Sequence, residues 1–194
     1  MASGAFDGRI VMKLVFLLEE RSMKVLLDII LPRILPEGVT FQTIPHQGKS
    51  ELEKSISTKL RAWNEPNVAF VIVHDQDSNN CIELKNELVN LCNHTGRRFL
   101  VRIPCHELES WYWGDLNAVS KAYEKDLTSL KIKKKYRNPD QIENPKQELK
   151  KLIPTMGQIE GASKIAPHMN IEENTSYSFQ VFVKGVLRLC NEIV

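Results

Sequence analysis

Val68-Ala69-Phe70-Val71-Ile72-Val73-His74-Asp75-Gln76-Asp77-Ser78 is the stretch that decides the fold. Residues 68–73 are apolar without a break, and Val68, Val71, Ile72 and Val73 are β-branched. A short, unbroken apolar run of this kind reads as a strand buried on both faces, the signature of a central strand in a parallel sheet. It ends abruptly in His74-Asp75-Gln76-Asp77. In open α/β sheets the carboxyl ends of the strands are where ligands bind, so the acidic ending carries functional weight.

Working outward, the same grammar repeats. Ile10 to Leu18 reads as an earlier buried strand, followed by Ser22 as N-cap and a helix from Met23 to Leu35 with Leu26, Leu27, Ile30, Leu31 and Ile34 on one face. Val39 to Pro45 reads as a strand, Gly48 breaks it, and Ser50 opens a helix to about Trp63. After the central strand, Ser78 is placed to cap a helix to about Cys92, closed by Gly96, and Arg98 to Ile103 reads as a fourth strand. Strands alternating with helices predict an α/β fold with a mainly parallel four-stranded sheet flanked by helices. Beyond Pro104 the character changes to a helix from Glu107 to about Tyr123, a basic, polar and mobile stretch from Lys131 to Pro145, and a C-terminal helical extension ending in a helix from about Phe179 to Ile193. The expected organisation is one globular unit, with a core over 1–125 and the remainder, 126–194, packed on it.

The chain has 194 residues, 42% hydrophobic and 26% charged, enough for a real core without disulfide or metal staples. Its net charge of +2 names no partner. Four widely spaced cysteines, with no C-x-x-C pair, read as reduced thiols. Lys13, Asp28 and Arg33 interrupt the longest apolar runs, so no membrane span is expected, and Met1-Ala2-Ser3-Gly4 does not open a signal peptide. These readings place the protein in the cytoplasm, away from membranes.

The chemistry is expected where acidic residues recur at strand ends. Glu19-Glu20 follows the first strand, Asp75 and Asp77 the third, and Glu107 and Glu109 lie just past the fourth. Carboxylates brought within about 4–6 Å raise one another's pKa and destabilise the fold unless a cation neutralises them. Hard oxygen donors suit Mg²⁺ or Mn²⁺, as one ion or two. In an extended segment Asp75 and Asp77 point the same way and present both carboxylates together. The plainer alternative is that Asp-x-Asp-Ser and Glu19-Glu20 are only helix caps and helix-start charges. If the chain is already helical at Glu107, that residue and Glu109 lie about 200° apart and only one faces the site; Glu109 is the favoured ligand.

Lys131-Ile132-Lys133-Lys134-Lys135-Tyr136-Arg137 is the densest positive run. Lys133, Lys134, Lys135 and Arg137, with Lys164, are candidate phosphate contacts, against the alternative of a solvated face. Tyr136 is a candidate for stacking on a base. No G-x-x-x-x-G-K-[ST] loop occurs, which disfavours a P-loop NTPase.

A strand ending in glutamate and a later strand ending in Asp-x-Asp resemble the TOPRIM superfamily. The ordered set Phe16-Leu17-Leu18-Glu19-Glu20-Arg21-Ser22, Leu31-Pro32-Arg33-Ile34-Leu35-Pro36, Gly48-Lys49-Ser50, Val73-His74-Asp75-Gln76-Asp77-Ser78, Glu107-Leu108-Glu109-Ser110-Trp111-Tyr112-Trp113-Gly114-Asp115 and Asn174-Thr175-Ser176-Tyr177-Ser178-Phe179 resembles a small stand-alone branch of it. That branch is related to the OLD-type nucleases and to PARIS-like effectors encoded beside ABC-type ATPases in anti-phage defence. The resemblance implies a TOPRIM/Rossmann-like core and a metal-dependent nuclease acting on DNA or RNA. It further implies metal at Glu19, Asp75 and Asp77, with Glu109 in the branch's acidic Glu-Leu-Glu motif, and an ABC-type ATPase partner; a homodimer is a common arrangement that nothing in the sequence demands. Two positions depart from the pattern: Glu20 stands where glycine is common, and Gln158 where a lysine is expected, leaving Lys164 as a substitute. The alternative is a decayed TOPRIM subunit that binds or regulates an ATPase.

Overall fold

A computed structural model describes residues 12–192, with the side chains of those residues. The expected strand residues Ile10 and Val11, and Ile193 of the last helix, lie outside the described residues. Four strands, β1 (Met12–Leu18), β2 (Val39–Pro45), β3 (Val68–Val73) and β4 (Arg98–Arg102), form one sheet in the order β2-β1-β3-β4 with every pairing parallel. The α/β fold with a parallel sheet flanked by helices is therefore as expected.

Alternation along the strands sorts the core into two layers. Leu14, Phe16 and Leu18 of β1, with Ala69, Val71 and Val73 of β3, face one side. There they meet α1 (Arg21–Ile30), α4 (Glu109–Trp113), α5 (Leu116–Tyr123), α6 (Pro145–Leu152), α7 (Gln158–Ile165) and α8 (Tyr177–Asn191). Val15 and Leu17 of β1, with Phe70 and Ile72 of β3, face the other side, against α2 (Lys49–Ala62) and α3 (Cys81–Asn93). Every residue of β3 is buried, as its unbroken apolar run requires.

Several local expectations are corrected. α1 begins at Arg21, so Ser22 is not its cap but a buried residue inside it; the capping position falls to Glu20, whose side chain makes no capping bond. The helix does not run to Leu35. It ends at Ile30 and tightens into a 3₁₀ turn over Leu31–Arg33, because Pro32 lacks an N–H and crowds the carbonyl of Asp28. Arg33 in that turn donates to the carbonyls of Ala166 (3.2 Å) and Met169 (2.6 Å), tying the end of α7 to α1. α2 is led in by Gly48 at φ 105°, not capped by Ser50. α3 is capped by Asn80, whose side chain accepts from the amides of Ile82 (2.9 Å) and Glu83 (3.3 Å); Ser78 is not the cap.

The single helix expected from Glu107 to Tyr123 is two helices, because Gly114 and Asp115 break it and Asp115 caps α5 by accepting from the amide of Ala118 (3.0 Å). The stretch expected to be mobile is instead anchored. Asp140 accepts from Ser176 Oγ (2.7 Å) and the Ser178 amide (2.8 Å), and Tyr136 donates to Glu148 (2.9 Å). Ser176 caps α8, accepting from the Phe179 amide (3.2 Å).

Candidate acidic site at the sheet's switch point

The strand order defines where a site forms. From β1 the chain crosses outward to β2 and then returns to lay β3 on the other side of β1, so the crevice opens at the carboxyl ends of β1 and β3. Leu18 and Val73, the last residues of these strands, are register partners. Their pairing sets two acidic segments side by side: Glu19-Glu20 after β1, His74-Asp75-Gln76-Asp77 after β3. The amide of Asp75 donates to Glu19 Oε2 at 3.1 Å, a direct link between residues far apart in sequence.

The loops are fixed by backbone bonds that prolong the ladder past the strand ends. Gly48 donates to the Glu19 carbonyl (3.0 Å), His74 to that of Arg102 (3.2 Å), Gln76 to that of Pro104 (3.2 Å) and Asp77 to that of His106 (2.7 Å). Asp77 and His106 both adopt the left-handed region, at φ 52° and 59°. The chain therefore stays extended through Gln76 and turns at Asp77. Asp75 is nearly buried, while Asp77 turns outward to within 3.4 Å of Lys49 Nζ. Such backbone strain persists only where its surroundings hold it, and it clusters at functional sites.

Charge is concentrated to a degree that capping does not explain. With Asn80 as the cap of α3, neither Asp75 nor Asp77 is engaged with that helix's free amides. Burial pushes the Asp75 carboxyl well above its ordinary range, and Glu19, Glu109, Glu20 and Asp77 push it further. Glu19 is raised chiefly by burial, with partial relief from His74 and the Asp75 amide. Glu109, the first residue of α4 and only 3% exposed, is pushed up to about 7 by burial and by Glu107. Glu107 itself turns aside, accepting from the Lys146 amide (3.3 Å). Only Glu109 of the pair is buried toward the cluster.

Further residues belong here that the strand-end argument did not assign. Glu20 acts electrostatically on Glu19, Asp75, Glu109 and Tyr112 alike. Its carboxylate is held by Ser22 Oγ and approached by Gln158 Nε2 (3.3 Å), so the position where a lysine was expected does reach the site, as an amide. His74 is fully buried: Nδ1 lies 2.7 Å from the Asp75 carbonyl and 3.3 Å from Glu19 Oε2, and Nε2 lies 3.1 Å from Glu53 on α2. Tyr112, on α4, is 1% exposed, and burial together with Glu109 raises its phenol well above 10.

As the side chains stand, among the described residues no three His, Cys, Asp or Glu side chains converge on one ion-sized point. The donor set nonetheless suits a hard divalent cation: all-oxygen, mutually repelling, and with Asp75 and Glu109 held away from ionisation by burial and by neighbouring carboxylates.

The late Asn174-Thr175-Ser176 segment now has a role, that of clamping α4. Asn174 donates to the Trp111 carbonyl (2.9 Å), the Thr175 amide donates to the Gly114 carbonyl (2.9 Å), and Trp111 Nε1 donates to Ser178 Oγ (3.0 Å). This holds Glu109 and Tyr112 against the strand ends.

Beside the rim lies a cleft of about 520 Å³ lined by Gln76, Asp77, His106, Glu107, Glu143 and Asn144. Glu143 and Asn144 also line a second cleft of about 660 Å³ that carries Lys134, Lys135 and Asn138. The two clefts thus adjoin at Glu143 and Asn144. Lys134 lines the second, and Lys133, Lys134 and Arg137 are all exposed. Lys135 is engaged by Glu148, and Lys164 pairs with Glu160 (2.5 Å) over the Tyr123 ring, so neither of those two is a free cation. Tyr136 stacks on Trp113 with centroids 4.5 Å apart and is a packing residue, not an open base platform.

Fold and site together define an all-parallel α/β domain with an acidic cluster at its switch point. The chain belongs to the family described as Domain of unknown function (DUF4276), whose model matches residues 18–187. No curated protein matches. Among solved structures it is similar to the C-terminal region of the Xanthomonas campestris pv. campestris OLD protein, at 15% identity and a TM-score of 0.47, over 93% of this chain and 95% of that one. No helix among the described residues is long and apolar enough to cross a membrane.

Proposed function

We propose that this protein is a metal-dependent nuclease of TOPRIM type that hydrolyses nucleic-acid phosphodiester bonds. The observation that carries the reading is the meeting of Glu19 with Asp75 at the β1–β3 switch point, beside Glu109, with Asp75 and Glu109 both buried and raised by burial and by neighbouring carboxylates. Glu19, Asp75 and Asp77 would hold one Mg²⁺ or Mn²⁺, and Glu109 with Glu20 a second. When bound, the ions supply Lewis-acid stabilisation of charge on the phosphate and ease deprotonation of the attacking water. The chain's own residues do the placing. His74, braced by Glu53, aims Glu19; the paired left-handed turns at Asp77 and His106 set the outer carboxylate; the clamp on α4 sets Glu109. The adjoining clefts, with Lys134 lining the second and Lys133 and Arg137 exposed on the same segment, would give a phosphate backbone a route to the rim.

The test is cleavage of DNA and RNA with Mn²⁺ or Mg²⁺ by the wild type and by folded Glu19→Ala and Asp75→Asn variants. Loss of roughly a hundredfold or more is expected from removing a metal ligand. Undiminished cleavage by both variants would sink the mechanism. The resemblance also motivates an ABC-type ATPase partner in anti-phage defence, to be tested by co-purification from the native operon. A second reading, a decayed subunit that binds or regulates such an ATPase, is favoured by one observation: an uncharged Gln158 faces Glu20. That subunit would associate with its partner while binding no Mn²⁺.

A further inference from the structure

We infer that Tyr112 is a positioning residue whose hydroxyl donates to the Glu109 carboxylate when that carboxylate engages a divalent cation, and so aims it. The inference rests on the metal-site reading above. The Tyr112 hydroxyl is buried, and among the described residues it has no hydrogen-bond partner. A buried hydroxyl without a partner destabilises a fold by about 1–3 kcal/mol, so each such group in a native protein calls for an explanation.

Its neighbours supply one. Tyr112 lies three residues after Glu109 on α4, on the same side of the helix. Glu109 is the group that acts on it most strongly, followed by Glu20, then Tyr123 and Asp75. Beyond its own backbone amide, the Glu109 carboxyl has no hydrogen-bond donor among the described residues, and the Lys146 charge acts on it without bonding it. One element thus holds a carboxyl lacking a second donor and, one turn on, a donor lacking an acceptor. Burial and the surrounding negative charge keep the phenol protonated, so it serves as a neutral donor and not as a base.

A carboxylate that ligates metal commonly accepts a hydrogen bond on its other oxygen, and removing such a partner weakens metal binding by about 10–100-fold. Drawn to a cation, the Glu109 carboxylate becomes the acceptor that the buried Tyr112 hydroxyl lacks.

Tyr112→Phe removes one oxygen atom and nothing else. The experiment is Mn²⁺ titration by calorimetry, with thermal melts in chelator, on the full chain as wild type, Tyr112→Phe, Glu19→Ala and Tyr123→Phe. Tyr123 carries another buried hydroxyl without a partner among the described residues; it lies in electrostatic range of Tyr112, but the charges that act on it are Glu160 and Lys164 and not the carboxylate cluster, which makes it the control. Tyr112→Phe should melt at or above the wild type in chelator and bind Mn²⁺ roughly tenfold more weakly. Tyr123→Phe should melt at or above the wild type with Mn²⁺ affinity unchanged. If Tyr112→Phe binds Mn²⁺ as the wild type does while Glu19→Ala does not, the inference is overturned and the metal site stands. If Tyr112→Phe melts well below the wild type in chelator, the hydroxyl already has a partner in the resting fold, and the inference is again overturned. A wild type that binds no Mn²⁺ overturns the metal site and the inference with it.

Discussion

Glu109→Gln should make the protein more stable at alkaline pH and leave it unchanged in acid. The carboxyl is 3% exposed, and burial with the Glu107 charge moves it from an ordinary 4.5 up to about 7. Below pH 4.5 the group is protonated in both folded and unfolded chains and affects neither. As pH rises from there to about 7, the unfolded chain releases the proton while the folded chain retains it, so stability falls. Above about 7 both forms are ionised and the loss is complete. The interval of about 2.5 pH units, at about 1.4 kcal/mol each, amounts to roughly 3 kcal/mol. Glutamine keeps the shape of the protonated acid and removes the titration. For a chain of this size each kcal/mol moves Tm by about 2–4 °C, so the variant should melt roughly 6–12 °C above the wild type at pH 8.5 in chelator. The two should converge by about pH 4.5. Adding Mn²⁺ at pH 8.5 should raise the wild type more than the variant, because the ion stabilises the charge that glutamine lacks. A Tm difference that is the same at both pH values would refute the reasoning, since packing and not ionisation would then be its source.

The same geometry makes other outcomes measurable. His74→Ala and Glu53→Gln each release Glu19 from its brace, and Mn²⁺ affinity measured by calorimetry should fall roughly tenfold or more with the fold retained. Gly114→Ala would set a Cβ 2.0 Å from Asn174 Oδ1 and 2.7 Å from the Ser176 backbone nitrogen. Because the latter cannot swing aside, urea unfolding should show a destabilisation of about 2–3 kcal/mol. Replacing Lys133, Lys134 and Arg137 together by alanine should weaken oligonucleotide binding and flatten its salt dependence, by a slope of up to about one for each phosphate left without its cation. Changing Lys164, already paired with Glu160, should do neither.

Much of the fold was legible because its signals are local and strong. Residues 68–73 could scarcely be anything but a central strand, and β2 and β3 fall where the pattern set them. The caps were harder. Ser22, Ser50 and Ser78 are good capping residues by type, yet Glu20, Gly48 and Asn80 take those positions, since where a helix starts depends on how the preceding loop is pinned to neighbouring strands. Pro32 gave a usable signal for the end of α1, and Gly114-Asp115 for the break between α4 and α5; the apolar periodicity running through each obscured it.

Strand ends pointed to Glu19, Asp75, Asp77 and Glu109 because topology alone brings such positions together. The pairings that complete the cluster are long-range and left no mark in spacing. Glu53 reaches His74 from α2, and Gln158 reaches Glu20 from α7, across 138 positions of sequence. Tyr112 is a core residue by its burial; nothing in the sequence marks its hydroxyl as lying without a partner amid carboxylates.

The central claim is that carboxylates from β1, β3 and α4 are assembled to share divalent ions. Crystals grown with Mn²⁺ and measured for anomalous scattering test it most directly. The account predicts a peak at about 2.0–2.2 Å from oxygens of both Glu19 and Asp75, lost in Glu19→Ala crystals. Millimolar Mn²⁺ with no anomalous density at that rim would contradict it.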